Sequence, residues 1–152
     1  MSRIVQKYGG SSLADVDRIR RVADRIRESR TRYDGVCVVV SAMGDTTDEL
    51  IELAHQLTEN PPAREMDMLM STGEMQTAPL LAMRLCAIGC AAVSLTGLQA
   101  GIRTSGMHRK ARIVDIVPER IVEALDEGSV PVIAGFQGVS ESFDITTLGR
   151  GG

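Results

Sequence analysis

Along the chain, short apolar runs rich in β-branched residues alternate with longer stretches whose apolar positions recur every three or four residues. Arg3 to Tyr8 predicts a first strand. Leu13 to about Arg32 predicts a helix, with Val16, Ile19, Ala23 and Ile26 on one face. Val36 to Val40 is apolar throughout and leaves no face for water, as in the middle of a parallel sheet. Thr46 followed by Glu49 matches a capping box and predicts a helix to about Leu57. Pro61 and Pro62 start another helix that runs to about Ser71. Gly73 is expected to interrupt it, with Pro79 in the first turn of the next helix. Strands follow at Ala92–Leu95 and Val130–Ala134, separated by a helix from Pro118 to Glu127 that Gly128 stops. Val139 to Thr147 reads as an irregular hairpin. Strand and helix alternate, without repeats or linkers, so the expected class is α/β with a mostly parallel, doubly covered sheet.

Composition narrows the function classes. The 152 residues fit one domain, and 43% hydrophobic with 24% charged residues is ordinary for a globular protein. With two Tyr, two Phe and no Trp, the core must be aliphatic, filled in by eight Met. A net charge of -3 speaks against a nucleic-acid partner. The start resembles no signal peptide and no apolar run reaches membrane-spanning length, so a cytoplasmic location away from membranes is expected. Of three cysteines, Cys37 reads as packing. Cys86 and Cys90 supply only two soft ligands, so reduced thiols are expected rather than metal. The arginine-rich face of the first long helix carries acidic residues at pairing distance and reads as a solvated, ion-paired surface.

Ligands in open α/β sheets bind beyond the carboxyl ends of the strands, and glycines recur there. The first strand runs into Lys7-Tyr8-Gly9-Gly10-Ser11-Ser12. Gly9 and Gly10 permit close backbone approach to a phosphate, and Lys7 adds charge; an ordinary strand-to-helix turn explains the pattern equally well. Ser41 and Thr47 bracket a small-residue loop suited to a polar ligand, although helix capping by Thr46 competes with that reading. Glu74, after Ser71-Thr72-Gly73, offers a carboxylate for an ammonium group or simply lies exposed. Thr96 to Gly101 suggests close backbone packing. His108, beside Arg109 and Lys110, is expected in a solvated basic turn, and His55 on a helix surface. Gly149-Arg150-Gly151-Gly152 looks like an anion-binding loop, Arg150 being suited to a carboxylate; a glycine-rich tail without a ligand is the competing reading.

Together the segments KYGGSS, VSAMGDTTDEL, STGE, LTGLQAGI, ARI, GFQG and ITTLGRGG resemble the aspartokinases, in order and in register from residue 3 to residue 152. The wider amino-acid kinase family, including acetylglutamate and uridylate kinases, shares only the early lysine and glycines. The resemblance implies a three-layer sandwich around a mostly parallel central sheet, incomplete at its C-terminal end. It implies phosphoryl transfer from MgATP to the side-chain carboxylate of L-aspartate, giving 4-phospho-L-aspartate, the entry step to lysine, threonine and methionine. Carried over by position, Lys7 would stabilise the transferring phosphoryl group, with Gly9, Gly10 and Ser11 around the phosphates. Ser41, Thr47, Glu74 and Arg150 would hold aspartate, Glu74 at its ammonium and Arg150 at its α-carboxylate, with Phe136 as a wall. No metal ligand is assigned.

This chain departs from the family where Met75, Gln76 and Pro79 replace an R-x-S-x-A-L-like helix, and where Phe143 takes a usual glycine position in the hairpin. The family's motif also continues into S-D-T-T-A, the nucleotide-binding half and ACT regulatory domains. Residues 1–152 are therefore expected to be the amino-terminal, aspartate-binding part of the kinase domain, inactive alone. The expected partners are L-aspartate, ATP in the complete enzyme, and either further copies or a full-length kinase. The alternative is a non-catalytic paralogue that serves as a binding or assembly partner.

Overall fold

In the computed structural model, which describes residues 1–149, eight strands and four α-helices build two sheets. The strands β1 (Arg3–Tyr8), β2 (Gly35–Val40), β3 (Ala92–Leu95) and β6 (Val130–Ala134) form a wholly parallel sheet in the order β1-β2-β6-β3. Every strand of this sheet thus ends on the same edge. The alternating sides of β2 explain its unbroken apolar run. Val36, Val38 and Val40 join Tyr8, Val130 and Val132 in a core with Leu13, Ile19, Val22, Ala23, Ile26, Leu81 and Leu85 of the helical layer. Cys37 faces the other way, into a smaller core with Leu95, Ala100, Ile102 and Ile133. Helices α1 (Val16–Ser29) and α3 (Ala63–Ala87) cover the first face; α4 (Glu119–Asp126) packs on the second through Ile121. This is the layered α/β architecture expected, with a parallel central sheet.

The first helix begins at Val16 rather than Leu13, because Asp15 accepts the Arg18 amide at 2.8 Å and sets the cap there; a 3-10 turn, Gly10–Leu13, precedes it. Val16 itself is exposed, and Val22 takes its place in the buried stripe. The arginine face is ion-paired within the helix and just beyond its end, Arg20 with Asp17, Arg27 with Asp24 and Arg32 with Glu28. Helix α2 (Thr46–Leu57) spans the predicted residues but forms no capping box: Asp45 is the N-cap, without a side-chain cap bond.

The largest correction is α3, one helix of 25 residues where the sequence suggested two. Gly73 is no breaker. It sits where the helix meets the loop after β2, and a Cβ there would stand 2.8 Å from the Ala42 Cβ. Pro79 is likewise interior. Met75, whose carbonyl the proline cannot bond, and Pro79 lie away from the core, where water can serve that carbonyl.

The second sheet went unpredicted in part. Its order is β5-β4-β7-β8, from β4 (Ile102–Thr104), β5 (Ile113–Ile116), β7 (Gln137–Val139) and β8 (Ile145–Thr147). The hairpin β7–β8 was foreseen, but β4 and β5 are three and four residues long, and all of β5 is exposed, so neither carries a strong apolar signature. Among the described residues no helix is long and apolar enough to cross a membrane.

Candidate functional site

Four loops gather at the carboxyl edge of the parallel sheet, and glycines let them touch. After β1, Gly9 is extended and leads into the 3-10 turn; a Cβ on it would meet nothing within 4 Å, so its outer side is open. Gly10 is different. A Cβ there would lie 2.9 Å from the Ala42 carbonyl and 3.1 Å from that of Gly44, and the Gly44 amide donates to Gly10 at 3.0 Å. Gly10 thus locks the first loop to the second. The second loop is tied back as well, by the Ser41 amide to Tyr8 at 3.2 Å. Ala42 in turn rests on Gly73 of α3.

Glu74 follows Gly73 and is turned inward, only 1% exposed. The sequence left open whether it was exposed; it is among the most buried side chains. Phe136 and Gln137, after β6, face it. Burial pushes its carboxyl up to about 7, while hydrogen bonds from its own backbone, the Gln137 side chain and the Phe136 backbone pull the other way. Its Oε1 has no hydrogen-bond partner among the described residues. A buried carboxylate oxygen without a donor is costly, and it suits a cation arriving from outside.

Gln137 fastens this corner. It is 2% exposed, its Nε2 donates to the Ser71 carbonyl at 3.0 Å, and its Oε1 accepts from the Gly97 amide at 3.3 Å. Gly97 lies so close that a Cβ would stand 2.5 Å from the Gln137 carbonyl, which accounts for the glycine in the loop after β3. The segment GFQG carries no local signal for the part that its Gln plays.

The expected site residues fall as follows. Lys7, on β1 and exposed, points to the face opposite the buried Tyr8, as alternate strand residues do. Ser11 is exposed, and its carbonyl accepts from Arg18. Ser41 and Thr47 are half-buried in the loop and first helical turn after β2, and Phe136 is half-buried beside Glu74. Lys7, Gly9, Gly10, Ser11, Ser41, Thr47, Glu74 and Phe136 thus lie on or next to one sheet edge. Arg150 lies outside the described residues. His55 is exposed. His108 is not in a solvated basic turn: its Nδ1 is 2.7 Å from Oδ2 of Asp67, a wholly buried residue that sequence reasoning passed over. A signal was there to read. Asp67, Ser71 and Glu74 share one side of α3 at helical spacing, a polar line on a buried face.

The amino acid kinase family model matches residues 2–152. The aspartokinases of Mycolicibacterium smegmatis and Geobacillus stearothermophilus are each 56% identical to this chain over its whole length, covering 36% and 37% of their own. The chain thus spans little more than a third of the curated relatives it matches. An aspartate kinase structure from Synechocystis, 45% identical, superposes with a TM-score of 0.82 over 99% of this chain and 24% of that one. E. coli aspartokinase III in complex with aspartate and ADP is 22% identical, with a TM-score of 0.84 over all of this chain and 44% of that one, a likeness of fold. The chain belongs to the amino acid kinase family, where it resembles the amino-terminal part of the aspartokinases.

Proposed function

We propose that this chain carries the acceptor half of an aspartate kinase, the half that binds L-aspartate and presents its side-chain carboxylate to the γ-phosphoryl group of ATP. One observation carries the reading: the Glu74 carboxyl is buried at the sheet edge with one oxygen unpaired. Aspartate's ammonium group is the kind of charge that such an oxygen accepts. The similarity to aspartokinases, one of which was crystallised with aspartate and ADP, supports the same substrate class.

The remaining roles are those that the resemblance to the aspartokinases implies. Ser41 and Thr47, across the Ala42–Gly73 contact, hold the substrate's polar groups, and Arg150 takes its α-carboxylate. Phe136 walls the pocket. Lys7 balances charge on the transferring phosphoryl group, with Gly9, Gly10 and Ser11 around the phosphates; the open side of Gly9 leaves room for one. In-line transfer to a carboxylate needs chiefly positioning and charge neutralisation, and these residues suit that task. Magnesium would supply charge neutralisation at the phosphates when the nucleotide is bound. Among the described residues no group of three or more His, Cys, Asp or Glu is arranged to hold a metal.

The chain alone is expected to give no turnover. A chimera in which residues 1–149 replace the matching part of the M. smegmatis aspartokinase is expected to release ADP only when L-aspartate is supplied. A folded chimera that bound ATP yet showed no aspartate-dependent ADP release would count against the assignment.

A further inference from the structure

Asp67 is not among the residues of the acceptor site, yet it is wholly buried. A carboxylate there must be met by donors, and four hydrogen bonds reach it from two distant segments. Oδ2 lies 2.7 Å from His108 Nδ1, the Arg109 amide donates to both oxygens at 3.1 Å, and the Thr147 hydroxyl donates to Oδ1 at 2.6 Å. Arg109 adopts φ 69, a left-handed conformation uncommon for a residue with a side chain.

Both bonded segments connect to the β7–β8 hairpin. Thr147 pairs with Gln137 across the two strands, and the Leu148 amide donates to the Phe136 carbonyl at 3.1 Å. The Ala111 amide donates to Thr147 at 3.1 Å and joins the turn to the same strand. Phe136 and Gln137 are the residues that face Glu74. Asp67 and Glu74 themselves sit seven residues apart on α3, two turns or about 10 Å along one side.

We propose that Asp67 is a positioning residue for the acceptor site. By gripping Thr147 and the His108–Arg109 turn, it sets the hairpin against α3 and so fixes where Phe136 and Gln137 stand over Glu74. The inference rests on the acceptor-site reading. A carboxylate is suited to the task because it is acceptor-only and can take all four bonds at once; the isosteric Asn replaces one acceptor with a donor facing other donors.

The test is titration of the 152-residue chain with L-aspartate, followed by amide NMR shifts. Asp67→Asn and Thr147→Val are compared with Ile26→Val, a core change under α1, remote from the site, that lowers stability only. Asp67→Asn is expected to raise the aspartate Kd about tenfold or more, and Thr147→Val to raise it by a smaller factor. Ile26→Val is expected to leave it unchanged even at an equal loss of thermal midpoint. Should Asp67→Asn fail to fold, Thr147→Val, which removes a single bond, decides alone. An unchanged Kd in the folded Asp67 and Thr147 variants would overturn the proposal and leave the acceptor reading standing. A parent chain that folds but binds no aspartate would overturn both.

Discussion

Gly73 and Ala42 meet with no room for a side chain between them: a Cβ on residue 73 would stand 2.8 Å from the Ala42 Cβ and 3.8 Å from Thr46 Cγ2. This contact, one residue before Glu74, joins α3 to the loop that carries Ser41 and leads into the first turn of α2 with Thr47. It is the point where two parts of the candidate site are held together.

Gly73→Ala therefore sets two effects against each other. Alanine in a helix interior gains about 1 kcal/mol over glycine. Forcing a methyl into a closed contact costs about 1–3 kcal/mol. Because Ala42 Cβ is fixed to backbone, overpacking is expected to win, with a fall in thermal midpoint of a few degrees. A midpoint raised by the usual glycine-to-alanine gain would show that the loop yields freely.

The Glu74 carboxyl gives a pH signature. Its folded value is raised, from 4.5 to about 7, so the folded state holds the proton more tightly than the unfolded state. That contribution to stability is full below about 4.5 and is lost as pH rises through about 7. Its size is on the order of 3 kcal/mol. Binding runs the other way, since an ammonium group needs the ionised carboxylate. Aspartate affinity is expected to rise with pH and level off above 7, and Glu74→Gln is expected to flatten both profiles between 5 and 8. A Gln variant that kept the slopes would assign them to another group.

Lys7 is expected to act on the transition state. In the chimera with the M. smegmatis enzyme, Lys7→Ala should lower kcat roughly a hundredfold or more while shifting the KM for aspartate little. Stopped-flow and steady-state ADP release would separate the two. A change confined to KM would make Lys7 a binding residue.

Much of this layout was legible in the sequence. The unbroken apolar run of β2 and the 3.6-residue stripe of α1 report burial directly, so the central layers followed from them. The helix α3 did not, because Gly73 and Pro79 are locally breakers and only their tertiary setting reverses that: one is pressed against Ala42, the other is half-buried with the carbonyl it cannot bond on the exposed Met75. The short strands β4 and β5 are held by pairing with β7 and with one another rather than by apolar content. Motif order marked Glu74, but its burial and unpaired oxygen exist only once β6 delivers Phe136 and Gln137. Asp67 and His108 are 41 residues apart, and no local pattern links them.

Phe143 gives a stability test free of the site. The family resemblance places a glycine there, and in this structure Phe143 has φ 64 and is 80% exposed. A left-handed conformation costs a residue with a Cβ roughly 1–2 kcal/mol, partly offset by the greater unfolded freedom of glycine. Phe143→Gly is expected to gain about 0.5–1 kcal/mol in chemical denaturation. Phe143→Ala keeps the Cβ and should gain nothing; an equal gain from both would point to the exposed ring instead.

The central claim is that Glu74 receives the ammonium group of aspartate. It is tested most directly by titrating the chain and its Glu74→Gln variant with L-aspartate and with succinate, which has both carboxylates and no ammonium. A charge-assisted contact of about 1.5–3 kcal/mol corresponds to roughly a ten- to hundredfold change in Kd. The parent chain is expected to favour aspartate over succinate by that factor at pH 8, and the Gln variant to lose the preference through weaker aspartate binding alone. Equal Kd values for the two ligands in the parent chain, or a preference that survives in Glu74→Gln, would contradict the assignment.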